Sequence, residues 1–241
     1  MKKYLIMFCL LPMMMQAQTV KTDKILRNPN PVKTWFGMSG MELIFSGGKV
    51  SDAGNTISNA LRFTAFFNVQ QQMHYDFNAH LGIFTGYGIR NVGFIHEISP
   101  AGLGPVTLKQ RSYSMGIPLA IKFGNMERGR YIALGVEEEL MFHYKRKLMY
   151  NEGKVIFSEW FSSDVRRFMP SAFVDIRGHN GTYLRFKYYL SDFLVNKTVN
   201  MIVPGTQTQI TYTPSKSSLF YISIGFAIKD KKKHHAKFDE V

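Results

Sequence analysis

From Phe220 to Ile228 the chain places an apolar residue at every second position. Phe220, Ile222, Ile224, Phe226 and Ile228 share one face of a strand, and Tyr221, Ser223, Gly225 and Ala227 share the other, because successive strand side chains point to opposite sides. A soluble sandwich usually carries charge on its outer face. A strand that is apolar on one side and small or polar on the other suits a barrel wall with lipid outside and a narrow lumen inside. As the last strand of a closed barrel, this one must pair with the first.

Seven earlier stretches alternate in the same way, at residues 34–45, 61–71, 77–90, 111–123, 130–144, 165–177 and 182–190. The outward sets include Trp35, Met41, Leu43 and Phe45; Leu61, Phe63 and Val69; Tyr113, Met115, Ile117 and Leu119; and Ile132, Leu134, Val136, Phe142 and Tyr144. Glu42, Arg62, Gln70, Arg90 and Lys122 fall on the inner face. Lumen glycines such as Gly86 and Gly88 suit an axis too crowded for side chains. Pro118 points inward and lacks a ladder donor, which predicts a bulge or bend. Glu138 points at lipid, so it lies near the membrane edge or a bulge slips the register there. Residues 178–181, Gly-His-Asn-Gly, form a tight hairpin turn. The links alternate long and short, as expected for short periplasmic turns and long extracellular loops. The expected fold is therefore all-β: an eight-stranded antiparallel transmembrane β-barrel over 34–228. A lipocalin-like barrel would need the opposite polarity, apolar inside and polar outside.

The N-terminus agrees with export. Lys2 and Lys3 precede the apolar run 4–15, and Met15-Gln16-Ala17 resembles a cleavage site. Residues 1–17 are thus expected to be a signal peptide, 18–33 a periplasmic lead-in and 229–241 a basic periplasmic tail. Cys9, inside the signal, is the only cysteine, so the mature chain has neither disulfides nor thiol chemistry. The expected location is the outer membrane of a Gram-negative cell. Losing Lys2 and Lys3 lowers the net charge from +13 to +11. An exported chain rarely meets nucleic acid, so outer-membrane lipid and lipopolysaccharide phosphates are the expected counter-charges, with a periplasmic or secretion-system protein as a further partner. Lys231, Lys232 and Lys233 in the tail are candidate contacts for an acidic periplasmic partner or lipid phosphates.

Eight strands enclose a space that side chains roughly fill. The proposed lumen carries Arg62, Glu137, Glu139, Asp175, Arg177, Arg185 and Lys187. Buried charges persist when paired, so these residues read as a charge network that plugs the barrel; an ion path is the alternative. No catalytic, metal or cofactor motif stands out. His96, Glu97 and Ser99 fall in one expected loop, the nearest approach to a hydrolase set.

Three segments carry a family resemblance: R-S-Y-S-M-G-I-P-L-A-I-K-F-G (111–124) with R-Y-I-A-L-G-V (130–136), F-M-P-S-A-F-V (168–174), and L-R-F-K-Y-Y-L-S-D-F-L (184–194). In these the chain resembles the small PorT-like outer-membrane barrel proteins. The resemblance implies an eight-stranded outer-membrane barrel and a supporting role in protein export by the type IX secretion system. Two functional classes follow: a non-enzymatic binding or accessory barrel, and a narrow channel for ions or small solutes.

Overall fold

The computed structural model describes residues 34–52, 55–57, 59–99, 104–150, 153–202 and 209–230. The expected signal peptide, the lead-in up to Lys33 and the tail lysines 231–233 lie outside the described residues. Fourteen strands follow in order: β1 (Thr34–Asp52), β2 (Asn55–Ile57), β3 (Asn59–Ala60), β4 (Arg62–Thr64), β5 (Val69–Asp76), β6 (Leu81–Ile98), β7 (Val106–Asn125), β8 (Arg130–Tyr150), β9 (Gly153–Trp160), β10 (Phe168–Arg177), β11 (Thr182–Tyr189), β12 (Val199–Ile202), β13 (Gln209–Tyr212) and β14 (Pro214–Lys229). Eight of them close a ring in the order β1-β5-β6-β7-β8-β10-β11-β14. β14 returns to β1 along an antiparallel register from Met38↔Lys229 to Asp52↔Pro214. The last strand thus closes on the first, and closure leaves the ring without a free edge.

The inward and outward faces follow the alternation. Trp35, Met41, Leu43, Met115, Ile117, Leu119, Leu134, Val136, Ile224 and Phe226 are exposed on the outside. Their inward neighbours include Glu42, Lys122, Glu137, Asp175 and Arg185, all buried. Some lumen glycines are steric necessities: a Cβ at Gly225 would collide with the Tyr183 ring, and one at Gly116 with the Glu137 carboxylate. At the end holding the chain termini the strands turn through the short links 77–80, 126–129 and 178–181. Gly129 (φ 63°) and Gly181 (φ 84°) supply the positive φ that two of these turns require.

The structure corrects several sequence expectations. All four long connections are partly strand: β1 runs on to Asp52 and is followed by β2 and β3, β6 runs on to Ile98 and β7 begins at Val106, β8 continues to Tyr150 and folds back as β9, and β12 and β13 fall in the last. In this region the polarity reverses. Val92, Phe94, Leu108, Tyr144 and Leu148 point inward into an apolar core with Phe193, Leu194, Ile210 and Tyr212, so a search for apolar outward faces passes over these strands. Tyr144, expected outside, is fully buried. The cause is a register shift between Tyr113 and Ser114, where β8 places an extra residue and the alternation flips beyond it. Pro118 causes no shift. The β6–β7 ladder lapses opposite it, between Thr85↔Leu119 and Gly88↔Gly116, and resumes in the same register. Glu138 faces outward between Ile117 and Pro170, with no slip at that point. Arg167 is exposed just ahead of β10.

The stretch 61–71 is not one strand. It breaks after Thr64, and Phe67 adopts φ 63°. Phe66 and Phe67 are then pushed outward, each about 70% exposed. The neighbouring wall is secured by side chains rather than by ladder bonds. The Asn91 N–H donates to Asn68 Oδ1 (2.9 Å), and Arg62 donates to the Asn91 carbonyl (3.0 Å) and to Asn91 Oδ1 (2.7 Å).

Candidate functional site

The inner faces of β1, β5, β6, β8, β10, β11 and β14 converge on one charged layer across the barrel. Arg90 on β6 donates from Nε to Glu42 Oε1 (2.6 Å) and from Nη1 to Glu137 Oε1 (2.5 Å). Arg185 on β11 grips Asp175 on β10 bidentately, Nε to Oδ1 at 2.6 Å and Nη2 to Oδ2 at 2.7 Å. These two residues are direct cross-strand partners, which fixes the fork geometry. Lys187 bridges Glu137 Oε2 (2.7 Å) and Glu139. The Tyr189 hydroxyl completes the Glu139 shell at 3.0 Å, and Ser223 donates to Glu42 Oε2 at 2.6 Å.

Within this layer three cations (Arg90, Arg185, Lys187) face four carboxylates (Glu42, Glu137, Glu139, Asp175), and the side chains paired in it are wholly buried. A buried ion is costly unless paired and hydrogen-bonded; here every ion is paired, Asp175 by the Arg185 fork alone and the others by two or more groups. Two glutamines extend the layer. Gln70 Oε1 accepts from Arg90 (3.4 Å) and Arg185 (3.3 Å), and Gln72 Oε1 accepts from Arg177 (3.2 Å). Nearer the termini Lys122 pairs with Asp76 at 2.5 Å.

Of the residues singled out in the sequence, the structure brings Glu137, Glu139, Asp175, Arg185 and Lys187 together. Arg177 reaches the layer only through Gln72, and its guanidinium otherwise lies over the Tyr183 ring (4.8 Å). Arg62 does not belong to it, because Asn91 holds it at the wall near the exposed Phe66 and Phe67. Glu42, Arg90, Gln70 and Gln72 join the network although the sequence does not single them out for it. Glu42, Gln70 and Arg90 alternate onto the inner face, whereas Gln72 lies past the end of the expected stretch 61–71, and alternation gives no sign of which inward residues meet.

Beyond the charged layer, on the side away from the termini, the barrel interior is mostly apolar, with Gln110 and His96 buried among the apolar side chains. Val92, Phe94, Leu108 and Leu148 pack with Phe193 and Leu194 from the link after β11, and with Met201 and Ile210 of the β12–β13 hairpin. The Phe94 and Phe193 rings meet at 5.4 Å. The lumen is thus closed twice, first by ion pairs and then by a hydrophobic core. The expected hydrolase neighbours separate: His96 and Glu97 are adjacent on β6 and so lie on opposite faces, His96 buried and Glu97 exposed. Among the described residues no cluster of His, Cys, Asp or Glu could hold a metal ion.

The closed ring, the outward apolar surface and the buried charged layer together define the class, an eight-stranded antiparallel β-barrel of the transmembrane kind. No protein-family model matches the sequence, and no curated protein matches it. Among solved structures, the chain is similar to Ail, the attachment invasion locus protein of Yersinia pestis, in complex with the heparin analogue sucrose octasulfate. That match has 10% identity and a TM-score of 0.36, over 80% of this chain and 99% of that one. Neisserial surface protein A matches at 11% identity and TM-score 0.34, over 81% and 97%. The outer membrane protein AlkL in lipid bilayers matches at 12% and 0.34, over 90% and 100%. Likeness at this level carries no ligand or role across.

Proposed function

We propose that this protein is a non-enzymatic outer-membrane barrel that works through its surfaces and ends, as a binding or accessory component, and does not conduct solutes. The observation that carries this reading is the double closure of the lumen inside an outward apolar wall. A channel needs a continuous polar path. Here the path ends at Phe94, Phe193 and Leu194, where a hydrated ion would lose its shell without a replacement. The apolar outer face in turn needs hydrocarbon around it. The long extensions beyond the belt would then face the cell exterior, and both chain ends the periplasm.

The resemblance to PorT-like barrels supports a finer version, in which the barrel assists protein export, with the tail lysines 231–233 as a periplasmic contact for a secretion component. Two measurements test the reading. Protein from the outer-membrane fraction should migrate differently on a cold gel before and after boiling, and a planar bilayer containing it should show no steady conductance. Recovery in the soluble periplasmic fraction, or open-channel currents from the unmodified protein, refutes it. The export role fails if deletion of the gene leaves the secreted proteins unchanged.

A further inference from the structure

Along the outer face of β7 the side chains read, from the terminal end outward, Phe123, Ile121, Leu119, Ile117, Met115, Tyr113, Arg111, Lys109. The surface changes from apolar to aromatic to cationic within two outward steps. β8 repeats the order with Leu140, Phe142 and His143, then Lys145 and Lys147. The register sets Arg111 directly opposite Lys145 and Lys109 directly opposite Lys147, giving a two-by-two grid of cations. Like charges directly opposite one another destabilise a sheet. Among the described residues none of these four, nor Arg62 beside them, forms an ion pair with a carboxylate. Glu97 is on this side of the sheet, but it stands opposite Thr107, a step further out. Glu159 is opposite the inward-facing Tyr144 and so belongs to the other side.

The grid lines a hollow of 310 Å³ formed by Arg62, Lys109, Arg111, Lys145, Lys147 and Ile156. A second hollow of 360 Å³ adjoins it and shares Arg62 and Arg111, but its other walls include Phe63, Phe66, Phe67 and Tyr113. Arg62 is nine-tenths buried and held by Asn91, so its charge is placed before any ligand arrives. Arg111 lies over the Tyr113 ring at 5.6 Å, and Phe67 meets the same ring edge-on at 6.1 Å.

We propose that this paired hollow, at the level where the apolar belt ends, binds the phosphorylated headgroup of a glycolipid in the outer leaflet. The cations take the phosphates, and the Phe66–Phe67 projection takes the first apolar part of the lipid. The inference rests on the membrane-barrel reading above. The aromatic half is what favours a lipid over a soluble polyanion, which would need only the cations. Aromatic side chains at an interface and basic residues just beyond it are the usual partners of headgroup and phosphate.

The test uses the full chain reconstituted in phosphatidylcholine nanodiscs doped with bisphosphorylated lipid A, with dephosphorylated lipid A as the second arm and soluble inorganic polyphosphate as the third. R111Q/K145Q removes one cross-strand pair, and K109Q/K147Q removes the other independently; both change residues that play no part in the charged layer. Each double variant should retain lipid A about 30-fold less well, taking roughly one near-surface charge contribution per lost cation. Dephosphorylated lipid A should be retained no better than phosphatidylcholine. Unchanged retention in both folded variants overturns the site. Equal binding of polyphosphate and lipid A, unaffected by F66S/F67S, overturns the lipid assignment in favour of a soluble polyanion. Failure of the unmodified chain to insert at all overturns the underlying reading, and the cold-gel shift detects that case separately.

Discussion

Replacing Arg90 with Met tests the charged layer most directly. The substitution keeps the apolar bulk of the side chain while removing the donors to Glu42 at 2.6 Å and Glu137 at 2.5 Å. The layer then holds two cations against four carboxylates. Losing one partner of a buried pair costs about 3–5 kcal/mol. Here Lys187 still bonds Glu137 and Ser223 still donates to Glu42, which places the expected loss near the lower end, about 3 kcal/mol. Adding Glu42→Gln restores the original charge balance and preserves a hydrogen-bonding group toward Ser223, so the double variant should recover about 1–2 kcal/mol of that loss. The assay is denaturant unfolding in lipid vesicles, followed by the fluorescence of Trp35 and Trp160, which both face outward, and by the loss of the cold-gel shift. An R90M variant within about 1 kcal/mol of the parent, or a double variant no more stable than the single, refutes the argument that these ions are mutually compensating. R90M should also remain non-conducting, because the apolar core beyond the layer is untouched.

Phe94→Ala removes a ring packed on Phe193 and His96 and should cost about 3–5 kcal/mol in the same unfolding assay. Glu138→Leu replaces an exposed acid set between Ile117 and Pro170 and should stabilise the inserted barrel by about 1 kcal/mol, read from the unfolding midpoint in vesicles. His96 lies beyond the apolar belt, has no hydrogen-bond partner on either ring nitrogen, and stacks on Tyr212. Burial lowers its pKa from 6.5 to about 4. The unfolded chain therefore takes up a proton that the folded chain resists, so stability falls as the pH drops from about 6.5 to about 4, by up to about 3 kcal/mol. A titration of unfolding free energy should show this slope, and His96→Phe should flatten it.

The alternation was legible because a barrel wall imposes it: one side of each strand meets hydrocarbon and the other a cramped lumen. The 3.3 Å rise and two-residue period require nothing more than the local order of residues. This explains why the inward positions of Glu137, Asp175, Arg185 and Gln70 could be read from the chain alone. The same logic failed above the girdle. There the surroundings change from lipid to water, the interior becomes apolar, and strands such as the outer part of β6 show the reverse pattern. The flip at Tyr144 follows from one extra residue opposite Tyr113, and no periodicity within β8 announces it.

What the sequence by itself determined was the kind of wall: eight alternating strands, closure of the last on the first, and charge directed inward, because each is a property of single strands or of their count. Only the tertiary structure decided which charges meet. Register and curvature bring Arg90 to Glu42 and Glu137 from three separate strands, leave Arg177 to Gln72, and draw Arg62 out to Asn91. It likewise decided that Arg62 joins the cations of β7 and β8, since their proximity depends on the break after Thr64 and on a cross-strand pairing that the chain's linear order does not encode.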